Sequence, residues 1–375
     1  MILGDLPPVG STILTKASTV IPSFSGFSAF YVDSGTSALA LAIIAAKQLQ
    51  PEIKNPEVIV PAYCCPDLVS AAVYAGTRVM VVDISHNDPA YDLEQLNTAI
   101  NKNTVAVIAV NFLGIKENLT QIKNLLPTHC HLIEDNAQSF QPLETPEKLL
   151  GDMVITSFGR GKPVSLLGGG LCLIKTALSE QLDFKDIIAP AKPARLLAAK
   201  VTAYNYLIKP QLYPLINRNP LLSVGETYYK QKLTINALDQ QRLYWLNHNI
   251  QAYKNQSITA QQAIDEILIK AKEGYLTKIN DCDNARTGKL LRYPILCESS
   301  HKREQLLKRL ESRGLGCSRL YDNELKKISK IPKVSVLTTT TNAEKFSKKL
   351  ITLPCHQYTG QKYLQLISKI LLDLH

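Results

Sequence analysis

The feature that most limits how this chain can fold is a succession of short Val/Ile runs, each followed by a helix-forming segment. Glu57-Val58-Ile59-Val60-Pro61, Arg78-Val79-Met80-Val81-Val82-Asp83-Ile84 and Val105-Ala106-Val107-Ile108-Ala109-Val110-Asn111 carry apolar residues at consecutive positions, as strands buried on both faces do. Helix-forming stretches lie between them at 67–75 (closed by Gly76), 93–100 and 119–126. Strand and helix in repeated alternation predict a parallel sheet clothed on both faces. Ligands of such sheets gather at the carboxyl ends of the strands. Gly35, Asn111, Asp135 and Gln138 all follow apolar strand candidates, so the chemistry is expected along that edge.

Two stretches offer that chemistry. Gly151-Asp152-Met153-Val154-Ile155-Thr156-Ser157-Phe158-Gly159-Arg160-Gly161-Lys162-Pro163 places one lysine in a Gly-rich turn after an apolar run, with Gly168-Gly169-Gly170 close behind. Small neighbours let the backbone approach whatever the lysine holds. Upstream, His131-Leu132-Ile133 leads into Glu134-Asp135-Asn136-Ala137-Gln138, a carboxylate and an amide directly after another strand candidate. Near the start, Ser34-Gly35-Thr36-Ser37 precedes a strong helix former, and a helix start bordered by small hydroxyl residues suits a phosphate. Local sequence leaves bland readings open. Ser34 and Thr36 are equally helix caps, Asp135 is equally an N-cap, and Lys162 could be an ordinary loop lysine.

In combination these runs narrow the choice. Ser34-Gly35-Thr36-Ser37-Ala38-Leu39, then Val60-Pro61-Ala62-Tyr63, then Glu134-Asp135-Asn136-Ala137-Gln138, then Ser157-Phe158 with Lys162, resemble in order and spacing the DegT family of pyridoxal-phosphate (PLP) sugar aminotransferases. The resemblance covers residues 31–174 and returns more weakly at Leu353-Pro354-Cys355-His356. It implies an α/β fold of the aspartate-aminotransferase type (PLP fold type I), with a large, mainly parallel domain and a smaller C-terminal α/β domain. It implies that pyridoxal 5'-phosphate is the cofactor and that Lys162 and Asp135 are catalytic. Lys162 would hold the aldehyde as a Schiff base and shuttle the proton, helped by crowding from Arg160, while Asp135 keeps the pyridine nitrogen protonated. Gly35, Thr36, Ser37 and Ser157 are the implied phosphate contacts, Gln138 approaches the ring hydroxyl, and Cys65 stands at the cofactor face. The implied activity transfers an amino group, from glutamate as donor, to a keto sugar linked to a nucleotide. A homodimer with its active site at the subunit interface is expected.

The sequence also departs from that family. Where members carry Thr followed by an aromatic that packs on the ring, this chain has Cys64 and Cys65, so that Tyr63 or the sulfur must fill the space. Asn111 stands where a His is frequent. The Asn-aromatic-Arg segment that reaches the partner's phosphate is not evident, and Tyr228-Tyr229-Lys230-Gln231 lies in its place, with Lys230 or Gln231 as the candidate substitute. These departures keep two alternatives open: a degenerate PLP-fold binding or regulatory protein, and a PLP-dependent sugar lyase or dehydratase. Dehydratases of the family replace the lysine, which here is present.

Length and composition set the outer bounds. At 375 residues, 45% hydrophobic and 20% charged, the chain can form two lobes, since single cores stop growing near ~250–300 residues. The expected division is an arm at 1–30, a large domain at 31–250 and a small domain at 251–375. No apolar run reaches the ~18–20 residues of a membrane span, and no secretory signal is read at the start, which points to the cytoplasm. Eight cysteines without metal-type spacing suggest reduced thiols and no metal site, and His129-Cys130-His131 runs into a strand whose side chains alternate. A net charge of +10 is spread along the chain. It suits a phosphorylated cofactor and nucleotide-linked substrate, without any recognisable nucleic-acid module. Residues 190–218, basic, aromatic and broken by prolines at 190, 193, 210 and 214 with Pro220 beyond, read as a lobe-linking or dimer-contact segment in preference to a membrane-surface element.

Overall fold

The Val/Ile runs are strands. The computed structural model describes residues 4–218, 228–231, 234–271, 276–279, 286–332, 334–336 and 339–373. Its first half runs β1 (Phe27–Val32), α1 (Gly35–Gln48), β2 (Glu57–Pro61), α2 (Asp67–Tyr74), β3 (Arg78–Val82), α3 (Leu93–Ala99), β4 (Thr104–Val110), α4 (Leu119–Leu125), β5 (His131–Asp135), β6 (Met153–Ser157) and β7 (Gly170–Lys175). Every residue of β2, β5 and β6 is buried, which is why these runs lack the alternation of a half-exposed strand. Strands β2 to β6 pair in parallel, whereas β7 runs antiparallel to both β6 and β1.

The first strand starts inside the stretch expected to be the arm, 1–30. β1 begins at Phe27, not Tyr31, and pairs with β7 from Phe27 opposite Lys175 to Val32 opposite Gly170. Phe27-Ser28-Ala29-Phe30 shows no clean alternation, so the strand is dictated by a partner 140 or so residues away and not by local pattern. Ahead of it, the arm lies on its own chain: Leu6 is fully buried, and its N–H donates to the Gly314 carbonyl at 2.7 Å.

The middle of the chain holds α5 (Thr176–Ser179), a two-residue β8 (Ile188–Ala189), α6 (Leu197–Leu207), α7 (Pro214–Asn217), β9 (Ile235–Asn236) and α8 (Gln240–Lys254). The prolines do break residues 190–218 into short pieces, and Pro220 lies outside the described residues. Trp245 of α8 is buried beside Phe140, Val154 and Phe158, on the opposite side of the sheet from α1.

The remainder comprises α9 (Thr259–Lys270), β10 (Leu276–Lys278), β11 (Tyr293–Cys297), α10 (Ser300–Glu311), β12 (Ser335–Val336), α11 (Thr341–Lys349), β13 (Leu350–Leu353) and α12 (Gln361–Leu372). β10, β11 and β13 form an antiparallel sheet, under which Ile264, Leu306, Leu353 and Ile367 build a second core that also takes in Leu6. β12 leaves this group and joins the edge of the large sheet beside β3, giving the order β1-β7-β6-β5-β4-β2-β3-β12. Tyr321, Leu325 and Phe346 accordingly pack in the first core, with α1 and α2. That return carries a C-terminal tyrosine to the carboxyl edge of the sheet. Among the described residues, no helix is long and apolar enough to cross a membrane.

Candidate functional site

A cavity of ≈ 240 Å³ opens at the carboxyl ends of the central strands. One wall is the start of α1. Ser34, in extended conformation (φ −160°), caps the helix by accepting from the Ser37 N–H, so the cap reading is correct, and Ser34, Gly35 and Thr36 line the cavity as well. The first-turn N–H groups of a helix have no partner within it, and the Ser34 hydroxyl satisfies that of Ser37, leaving the start of the helix for an anion. Gly35 is required by contact: a Cβ there would lie 2.6 Å from the Ser157 Cβ and 2.7 Å from its Oγ. Ser157, at the end of β6, thereby sits against the helix start, and its Oγ accepts from the Gly159 N–H at 3.3 Å.

The opposite wall carries the acid. Asp135 ends β5 buried and lines the cavity, with Oδ1 accepting from the Ala137 N–H at 2.8 Å. Burial pushes its carboxyl up to about 6; the Ala137 N–H and the Lys162 charge oppose this, and Asp67 adds to it. Lys162 is half-buried in the turn after β6, its own N–H donating to the Gly159 carbonyl at 3.3 Å. Gly161 takes φ +73° in that turn, where a Cβ would meet Val9 at 2.9 Å. The lysine's charge is felt both by Asp135 and by the Cys65 thiol, which burial pushes up to about 12.

Gln138 is held from two directions. Its Oε1 accepts from the Leu113 N–H at 2.9 Å, and its Nε2 donates to the Tyr321 hydroxyl at 2.9 Å. Tyr321 and Asp67 both line the cavity and were not anticipated from sequence. Asp67 could have been noticed as the acid two residues after Cys65 at the start of α2. Tyr321 carries no local signal, because it arrives by the return of the C-terminal chain, after Leu320 in the left-handed region (φ 63°).

Gly35, Thr36, Cys65, Asp135, Gln138, Ser157 and Lys162 are therefore brought to one cavity, whereas the expectations for Ser37, Asn111, Arg160 and Tyr63 need correction. Ser37 does not line it: the residue is fully buried and its hydroxyl donates to Asp33, because the third residue of α1 points back into the body. Asn111 is buried below the site, donating to Asn136 Oδ1 at 2.6 Å and Glu134 Oε1 at 3.3 Å, and accepting from the Glu117 N–H at 2.8 Å. It braces the strand end. Arg160 is exposed, and its charge acts on the Tyr204 and Tyr213 hydroxyls. Tyr63 does not turn toward the cavity but packs on Phe346 and Tyr321, with centroids 5.0 and 5.5 Å away; Cys64 and Cys65 line the wall instead. Of Tyr228 to Gln231, none lines the cavity, and the Lys230 carbonyl accepts from Ser70 on α2 of the same chain.

A lysine, a buried acid and the start of a helix thus converge at the carboxyl edge of a mainly parallel sheet in an α/β fold. The chain belongs to the DegT/DnrJ/EryC1/StrS aminotransferase family, whose model matches residues 27–182 and 237–371. It is 26% identical over 351 residues to the UDP-4-amino-4,6-dideoxy-N-acetyl-beta-L-altrosamine transaminase of Campylobacter jejuni subsp. jejuni serotype O:23/36 (strain 81-176), covering 92% of this chain and 84% of that one. It is 30% identical over 143 residues to GDP-perosamine synthase of Vibrio cholerae, a match of 37% of this chain and 38% of that one. Among solved structures, E. coli GDP-4-keto-6-deoxy-D-mannose-3-dehydratase with bound hydrated PLP superposes with a TM-score of 0.70 at 20% identity, over 93% of this chain and 88% of that one. The expected α/β fold, mainly parallel in its large sheet, is the one these neighbours share.

Proposed function

We propose that this protein is a pyridoxal-phosphate-dependent aminotransferase that moves an amino group, from glutamate as donor, onto a keto sugar carried on a nucleotide. The observation that carries this reading is the convergence of Lys162, Asp135 and the α1 start from three separate segments on one cavity. Pyridoxal phosphate, when bound, supplies a ring that accepts the electron pair released as a substrate C–H bond breaks.

The residues present fit that group. Asp135 is a fully buried carboxylate with one oxygen unspent, an arrangement that costs stability unless a cation meets it. The protonated pyridine nitrogen is such a cation, and Oδ2 would hold its N–H. The start of α1, with Thr36 and the Ser157 hydroxyl, would hold the phosphate. Gln138 keeps a second Nε2 proton after donating to Tyr321, and this would reach the ring hydroxyl, with Tyr321 fixing the amide's orientation. Lys162 Nζ would hold the aldehyde carbon and, once displaced by the incoming amine, take and return the proton at the substrate carbon. The thiols of Cys64 and Cys65, and not an aromatic ring, would pack on the cofactor face.

The partners are then an amino donor, a nucleotide keto sugar and a second copy of the chain. The second copy forms a homodimer in which Lys230 or Gln231 reaches the partner's phosphate. The working arrangement is an arm at 1–30, a cofactor domain at 31–250 and a small domain at 251–375, in the cytoplasm. Purified protein tests the reading directly. It should be yellow with added cofactor, and borohydride should fix an adduct that maps by peptide mass to Lys162. Incubation with glutamate and a panel of UDP- and GDP-linked keto sugars should yield amino sugars. A colourless protein that ignores the cofactor would favour a degenerate binding protein, and loss of water from the sugar without nitrogen transfer would favour the dehydratase activity named for the E. coli neighbour.

A further inference from the structure

Residues 183–236 fall between the two stretches that the family model matches, so the surface they form lies outside the family pattern. They hold α6 and α7. Helical spacing divides α6 into two faces. Leu197 and Val201 sit in the core with Phe158 and Trp245, Tyr204 packs against them, and Ile208 just past the helix end is buried as well. On the opposite face Ala199, Ala203 and Tyr206 are exposed, and Leu196, the residue before the first turn, is 75% exposed. Leu212 and Leu215 are exposed further along the same segment. A helix apolar on both faces needs cover on both, and among the described residues this chain covers only one.

Charge says what the cover is. From residue 187 to residue 225 the sequence has five cations, Lys192, Arg195, Lys200, Lys209 and Arg218, and no Asp or Glu. Arg218 is taken by Asp5 of the arm. The other four are exposed, and among the described residues none pairs with a carboxylate. Lys209 lies with Nζ 4.5 Å from the centre of the Tyr206 ring, and Lys200 follows Ala199, so ammonium groups border the apolar face along its length. A second copy is a poor cover: a two-fold interface sets a patch against itself, and here cations would meet cations with no acid of the same segment between them. A lipid surface bearing phosphate headgroups meets both requirements. Leucine and tyrosine enter the headgroup boundary, while lysine stems lie along it with their charges at the headgroups.

We propose that the outer face of α6 docks on an anionic lipid bilayer surface. Leu196 and Tyr206 enter it, and Lys192, Arg195, Lys200 and Lys209 meet the headgroups; the helix lies along the bilayer and does not cross it. The inference is independent of the function proposed above. Its test is co-sedimentation of the full chain with vesicles of phosphatidylcholine alone and with vesicles of equal parts phosphatidylcholine and phosphatidylglycerol, at low and high salt. The same is done for Leu196→Ser/Tyr206→Ser, for Lys200→Glu/Lys209→Glu, and for Ile269→Ser, which alters an exposed apolar residue on α9. The parent should bind the anionic vesicles only and be released by salt. Each double variant, with the parent's melting temperature, should bind about tenfold more weakly, and Ile269→Ser should match the parent. No binding by the parent, equal binding to both vesicle types, double variants that bind as the parent does, or an equal loss in Ile269→Ser would overturn the assignment. So would a double variant that turns a dimer into a monomer by light scattering, since the face would then be the seam between two copies.

Discussion

Replacing Asp135 by Asn should make the cofactor-free protein more stable above neutral pH while removing its activity. In the folded chain burial raises this carboxyl from its ordinary 3.8 to about 6, so the native state holds the proton more tightly than the unfolded state does. For an acid shifted upward, stability falls as pH rises from the unfolded value to the folded one. The shift of roughly two pH units corresponds to about 3 kcal/mol, at ~1.4 kcal/mol per unit. Asn keeps the oxygen that accepts from the Ala137 N–H and carries no charge at any pH. The difference between variant and parent should therefore be near zero below pH 4, grow between pH 4 and 6, and level off at up to about 3 kcal/mol in the variant's favour.

Urea unfolding of both cofactor-free proteins at pH 4, 5, 6 and 8 reads that difference. Added cofactor should shrink it, because a cationic ring nitrogen supplies the partner that the empty fold withholds from Asp135, and only the parent can profit. A variant less stable than the parent at pH 8, or a gap that does not change with pH, would refute the claim that this carboxylate is held at a cost for the sake of its ligand.

Other consequences are as direct. Lys162→Ala should abolish amino transfer and the borohydride-fixed adduct, yet change unfolding free energy by no more than about 0.5 kcal/mol, because the side chain is half-exposed. Gly35→Ala should weaken cofactor binding and destabilise by about 1–3 kcal/mol, since its Cβ would overlap Ser157; cofactor titration followed by absorbance, with urea unfolding alongside, checks both. Tyr321→Phe keeps the ring but strands the Gln138 Nε2, and should cost about 1–3 kcal/mol of stability while shifting the absorbance of bound cofactor. His356 is buried, held between the Pro7 carbonyl (2.8 Å) and the Tyr358 N–H (3.2 Å), and burial lowers it from 6.5 to about 4. Its contribution is thus present above pH 6.5 and lost as pH falls toward 4, so the parent should lose about 3 kcal/mol relative to His356→Gln over that interval, by urea unfolding.

Much of this site could be read from the chain because its parts are local. The consecutive Val/Ile residues of 58–60 and 105–110 mark strands buried on both faces, and the residues just past such strands had to fall at the sheet's carboxyl edge. Asp135, Ser157 and Lys162 could therefore be placed near one another from the order of the chain alone. Side-chain direction within a turn of helix was not legible in the same way: Thr36 and Ser37 are adjacent hydroxyls, and only the fold decides that the first lines the cavity while the second donates to Asp33. Nor was a contact that depends on the chain coming back. Tyr321 lies more than 180 positions from Gln138 and reaches it because β12, only two residues long, docks beside β3. A strand that short has no periodicity to detect. The same return seats Phe346 against Tyr63, and this explains the Cys64-Cys65 departure in physical terms. With the Tyr63 ring enclosed by Phe112, Tyr321 and Phe346, its hydroxyl bonded to the Tyr321 carbonyl at 3.0 Å, no aromatic from this strand end is left to cover a ligand. The cavity wall is finished by small thiols, and the space they leave is filled from the far end of the chain by a tyrosine that orients Gln138.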